Sequence, residues 1–165
     1  MSKLSEYQIY EKITHILKQE PKASTHYIKQ RLVCLGVKPE CIYAQLVHFY
    51  EQGAIDDQDN IDQHIQIAIQ KRQGFNLIAR TLSQGQYNHI QVTKSLVSLS
   101  RNIDHYRQAS LCKMEQFGRL KHTTPDSQSK MILYLQKQGH RLPDIWKALR
   151  KEQKTTECYC PRRVS

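Results

Sequence analysis

Four aspartates crowd one short stretch: Asp56, Asp57, Asp59 and Asp62. Carboxylates this close can hold a divalent cation or share acid–base work. As a calcium loop the stretch lacks the glycine and the distal glutamate that close such a site. It does follow Gly53-Ala-Ile and precede an apolar pattern. There Asp56 or Asp57 can accept bonds from the free amides of a first helical turn and suit its positive end. Helix-start duty therefore accounts for them. The eight histidines are scattered, and His26, His64 and His140 are expected in surface or packing positions. Cys34 and Cys41 read as helix-face and helix-start residues, Cys112 is isolated, and Cys158 and Cys160 form a C-x-C in a polar tail. Without a Cys-x-x-Cys or His-x-x-x-His pair, neither a structural zinc nor a disulfide framework is expected. There is no Gly-x-Ser-x-Gly elbow, phosphate loop, His-Glu-x-x-His or dinucleotide fingerprint. No catalytic residue, metal or cofactor is expected, and the chain reads as a binding protein.

The cations say more. The formal net charge is +10, and it is unevenly placed. Residues 1–99 hold eleven Lys/Arg against nine Asp/Glu, whereas residues 100–165 hold fourteen against six. A basic C-terminal portion attracts polyanions or an acidic protein surface. Lys71 and Arg72 close one helix, where cations suit the negative dipole end, and Arg80 follows on the next. Arg119 and Lys121 lie in the loop before Pro125, and Lys130, Lys137, Arg141, Lys147, Arg150 and Lys151 crowd the last two helices. Lys147, Arg150, Lys151 and Lys154 fall three and four apart and so share one helix side, with Ile145 and Leu149 on another. Trp146 is expected to pack. These cations, Lys71 to Lys151, are the expected partner contacts. Lys and Arg on a helix face can neutralise phosphates or meet carboxylates, and spacing alone leaves both open.

The elements that would position them are helices throughout. Ile9, Ile13, Ile16 and Leu17 mark a first helix from Ser5 to Lys18. Ser24 can cap a second, stopped at Gly36; Pro39 opens a third, carrying Ile42, Leu46, Phe49 and Tyr50 to Gly53. Helices follow over 57–73, 75–84 and 88–99, with Gly74 and Gly85 as breakers. The last group runs from near Asn102 to Gly118, from a cap at Asp126 to Gly139, and over 142–151. No segment alternates like a strand. The spacing predicts an all-α protein of about nine helices in tandem three-helix repeats, 1–54, 55–99 and 100–154, followed by a tail, 155–165. Gly36, Gly85 and Gly139 overlay, with Ile28, Leu77 and Met131 eight residues before them. Stacked triplets make an elongated, curved array with a long face for a partner. With no run of eighteen apolar residues and no apolar signal core at the N-terminus, a cytoplasmic protein without a membrane partner is expected.

Gly53-Ala-Ile-Asp-Asp57, then Lys71-Arg-Gln-Gly74, Ile78, Leu82 and Gly85, resembles the central signature of the RecX family, bacterial regulators of the RecA recombinase. Phe117-Gly118-Arg119, Lys130, Tyr134-Leu135, Gly139 and Asp144-Ile145-Trp146 are similar to that family's last repeat, and Ser24 to Gly36 to its first. The chain departs from the pattern at Asp59-Asn60-Ile61, at Tyr27-Ile28 and at Gln86-Tyr87. The resemblance implies tandem three-helix repeats in which Gly53, Asp56, Asp57, Gly74, Gly85 and Gly139 are structural signature positions. A monomer is expected, and the resemblance implies a protein without catalytic activity that binds along the groove of the RecA–single-stranded DNA filament. There it would block extension and damp ATP hydrolysis, strand exchange and coprotease function in recombination and the SOS response. Some members of the family also bind DNA. The alternative expectation, from the charge alone, is a DNA-binding module whose basic C-terminal helices grip phosphate without sequence preference.

Overall fold

The computed structural model describes residues 4–118 and 124–156, the side chains of 151–156 excepted. Among them the chain is all-α, with nine helices and no strand. These are α1 (Glu6–Gln19), α2 (Thr25–Cys34), α3 (Pro39–Glu51), α4 (Gln58–Gln70), α5 (Phe75–Leu82), α6 (His89–Asn102), α7 (His105–Phe117), α8 (Pro125–Lys137) and α9 (Leu142–Thr156).

Most starts follow from side-chain caps. Ser5 forms a reciprocal capping box with Gln8, and Ser24 accepts from the Tyr27 N–H. Pro39 stands in the first turn of α3, where a missing N–H costs nothing. Helix α8 departs from expectation: Thr124, not Asp126, is its cap, accepting from the Ser127 N–H, while Asp126 lies within the first turn.

Four helices end in the same way. The residue after the C-cap is left-handed, and two backbone N–H groups turn back onto the last-turn carbonyls. The bonds are Gly36 to Val33 with Val37 to Leu32, Gly53 to Tyr50 with Ala54 to Phe49, Arg72 to Ile69 with Gln73 to Ala68, and Gly139 to Gln136 with His140 to Leu135. At the end of α4 the left-handed residue is Arg72, with φ 58°. Gly74 is therefore not the breaker of α4. It serves a different purpose, described below. The three overlaid glycines, Gly36, Gly85 and Gly139, have φ of 78°, 82° and 86°.

The chain divides into two compact units: residues 1–64 with 81–98, and residues 65–80 with 99–165. The expected middle repeat, 55–99, is thus apportioned between them. In the first unit α1, α2 and α3 pack on one another. Their core holds Ile9, Ile13, Ile28, Leu32, Ile42, Leu46 and Phe49, and Ile55 closes it. In the second unit α7, α8 and α9 pack on one another around Cys112, Met131, Leu135 and Ile145. No helix among the described residues is long and apolar enough to cross a membrane.

Candidate partner-binding surface

Each unit is tied by a joint that sets where its surface residues stand. In the first unit the joint is Asp57, which is fully buried. Its backbone carbonyl takes the first intrahelical bond of α4, from the Ile61 N–H. Its carboxylate leaves the helix. One oxygen accepts from the Thr25 N–H at the start of α2 (3.0 Å); the other accepts from the Thr25 hydroxyl (2.6 Å) and the Asn88 N–H (2.8 Å). Thr25 Oγ1 also lies 3.1 Å from the Tyr50 hydroxyl. With its own proton on Asp57, Thr25 accepts the Tyr50 proton. Burial, reinforced by the Asp57 charge, pushes the Tyr50 phenol up to about 12.

The same joint holds α6. Asn88 caps that helix, its side-chain oxygen accepting from the Ile90 N–H, and its amide donates to the Ile55 carbonyl. Gln91 accepts from the Asp57 N–H and donates to Asp56. The Gln58 N–H and the Gln91 amide, both donating to Asp56, hold that carboxyl below its ordinary value. Lys29 donates to the Gly85 carbonyl. Burial lowers the Lys29 pKa, and nearby Asp57 opposes part of that shift.

In the second unit the joint is backbone on backbone. The Gly74 N–H donates to the Gln138 carbonyl (2.7 Å), and the Asn76 N–H to that of Gly139 (3.1 Å). A Cβ on Gly74 would stand 2.3 Å from the Gly139 carbonyl carbon, and one on Gly139 would stand 2.3 Å from the Leu77 nitrogen. Only two glycines allow this approach. Beside them His140 is buried, and its Nε2 donates to the Arg72 carbonyl (2.9 Å). Burial lowers the His140 pKa; the bond to Arg72 and the charge of Asp144 work against that, and His105 adds to it.

Charge follows the units more sharply than it follows the sequence halves. The first unit has eight Lys/Arg and nine Asp/Glu, and the second has seventeen and six. All the cations expected to contact a partner belong to the second. The structure sorts them. The Arg72 guanidinium is held by Glu115 (2.7 Å), Lys130 by Asp126 (3.0 Å) and Arg141 by Asp144 (2.7 Å). The Lys147 ammonium sits 4.8 Å from the centre of the Tyr106 ring. Lys71, Arg80, Lys137 and Arg150 are exposed and enter no ion pair among the described residues. Arg119 and Lys121 lie outside the described residues, as do the Lys151 side chain, Cys158 and Cys160.

Two exposed cations of this unit are not singled out by the sequence. Arg101 and Arg107 are also exposed in this unit without an ion pair among the described residues. Their signal was membership of the basic portion, and they belong to no run. Trp146, expected to pack, is 43% exposed. No group of three His, Cys, Asp or Glu among the described residues could hold a metal ion. Burial pushes the Cys112 thiol up to about 11, which leaves it an unreactive packing residue.

Compared with protein-family models, with curated proteins and with solved structures, the chain matches none.

Proposed function

We propose that this protein is a negative regulator of the RecA recombinase, binding in the groove of the RecA–single-stranded DNA filament through its basic unit. On this reading it inhibits filament extension, ATP hydrolysis, strand exchange and coprotease activity without chemistry of its own. The observation that carries the reading is the segregation of charge. Seventeen cations gather in one unit, and Lys71, Arg80, Lys137 and Arg150 stand exposed on it without internal partners among the described residues. A nucleoprotein polymer offers repeated negative charge to such a surface. The in-order resemblance to the RecX family adds support. Its signature residues Asp57, Gly74 and Gly139 occupy the joints on which the two units depend.

The test is the ATPase rate of RecA on single-stranded DNA, titrated with the full chain. Saturating inhibition at a low ratio of this protein to RecA is expected. Replacing Lys71, Arg80, Lys137 and Arg150 together by Glu should abolish it while leaving helicity intact. Absence of inhibition by the folded wild-type chain would overturn the proposal. The same cations favour a second reading, a DNA-binding module without sequence preference. Tight binding to DNA alone, with an affinity falling steeply in salt and no effect on RecA, would select it.

A further inference from the structure

We infer that the stripe Leu142–Trp146–Arg150 on α9 is a docking surface for an acidic amphipathic helix of a partner protein. The inference rests on reading the basic unit as the partner-binding body, whichever partner that is. Helix α9 already has a packing face: Ile145 and Ala148 are buried and Leu149 half-buried. Leu142 and Trp146 lie off that face, 44% and 43% exposed, one turn apart. Arg150 follows one turn further along, exposed and without an ion pair among the described residues. Two large apolar side chains in line with a cation suit a helix with apolar residues at i and i+4 and a carboxylate one turn on. Tryptophan and arginine are also the residues that most often concentrate binding energy at protein interfaces. The unit around them has seventeen Lys/Arg and six Asp/Glu, so an acidic partner is favoured from a distance as well as in contact.

A nucleic-acid strand fits the stripe less well. Phosphates need several uncommitted cations around the stacking ring. Here Arg141 is already on Asp144 and Lys147 on the Tyr106 ring, and Asp144 lies two residues from Trp146. These engaged groups form a mixed, pre-set rim of the kind that protein interfaces carry.

Trp146 is the sole tryptophan, so its emission reports on the stripe directly. The full chain is titrated with a panel of synthetic helical peptides bearing Leu at i and i+4 and Glu at i+8. Scrambled peptides of the same composition and an oligo-dT strand serve as the other arms. The expected result is a saturable blue shift with the amphipathic acidic peptides, and an affinity at least about tenfold weaker for the scrambled ones. By anisotropy of a labelled peptide, Arg150→Glu weakens binding about tenfold, Trp146→Ala abolishes it and Trp146→Phe largely keeps it. Unchanged circular dichroism of these surface variants shows that they fold. No shift with any peptide overturns the inference, as does an equal shift with the scrambled ones. A shift with oligo-dT alone overturns it by assigning the stripe to nucleic acid. Because no RecA is present, the outcome is separable from the recombinase reading. Peptide binding without ATPase inhibition keeps the surface and removes RecA. ATPase inhibition in a chain that binds no peptide keeps RecA and removes the surface.

Discussion

The two units solve the same problem with different chemistry. Each must bring a helix start against a distant stretch of chain. The first does it with a buried carboxylate that accepts three hydrogen bonds, and the second with glycines that let backbone meet backbone. The difference bears on what each unit has left for its surface. In the first, acids and bases nearly balance and one acid is buried. In the second the described acids are all occupied: Asp104 caps α7, and Glu115, Asp126 and Asp144 each hold one cation. Its joint needs no acid, and among the described residues Lys71, Arg80, Arg101, Arg107, Lys137 and Arg150 stay exposed without an ion pair.

The comparison breaks most visibly at the glycine joint. Gly74→Ala or Gly139→Ala forces a methyl group against rigid backbone, and for Gly139 adds a left-handed alanine. A loss of about 3 kcal/mol or more is expected from chemical denaturation. Amide exchange should accelerate around Leu135 and Ile145 before it does around Leu32 and Leu46. Wild-type stability in either variant would mean that backbone does not meet backbone at this joint.

Asp57→Ala should come next, at about 3 kcal/mol, because it orphans the Thr25 N–H, the Thr25 hydroxyl and the Asn88 N–H inside the first unit. Loss of exchange protection confined to the second unit would contradict the assignment.

These two joints also mark where the sequence stops being legible. The helices could be read from apolar spacing and punctuation because the forces that start and stop them act within a few residues. The sequence marks Asp57 as a helix-start residue, and its backbone does begin α4, but its carboxylate, expected on first-turn amides, leaves the helix. Its partners Thr25 and Asn88 lie 32 and 31 positions away, and nothing local announces them. In sequence Gly74 reads as a helix breaker, since the usual local reason for a glycine is a left-handed turn. Its actual reason is a neighbour far along the chain. Among the candidate contacts, the basic character of the C-terminal portion was legible. The pairs of Asp126 with Lys130 and Asp144 with Arg141 are local, but nothing local places Glu115, 43 residues away, on Arg72.

His140 adds a smaller, pH-dependent effect to the second unit. Its pKa is lowered in the folded state, so as pH falls below the unfolded value, about 6.5, the unfolded chain takes up the proton first. The stability contributed by the neutral ring is complete above that pH. It drains away as pH drops toward the folded value. The groups that bear on the ring are the Arg72 carbonyl, Asp144 and His105. Melting temperatures should therefore fall between neutral and mildly acidic pH, and a His140→Gln variant should show a flatter profile over that range. An identical pH slope in the variant would move the effect elsewhere.

The smallest expected effect is the most discriminating, because two terms nearly cancel. Arg72 occupies the left-handed cap position that glycine fills at Gly36, Gly53 and Gly139. A left-handed non-glycine residue costs roughly 1–2 kcal/mol. Arg72→Gly removes that strain but frees the unfolded backbone, which costs about 0.4–1 kcal/mol, and deletes a largely exposed ion pair with Glu115 worth about 0.2–1 kcal/mol. The carbonyl that His140 donates to is kept. A net change within about 1 kcal/mol is expected, whereas Arg72→Ala keeps the strain, loses the ion pair and should be the less stable of the two. If the alanine variant proves more stable than the glycine one, then Arg72 is not left-handed in solution. The second unit would then lack the cap geometry on which its backbone joint is set.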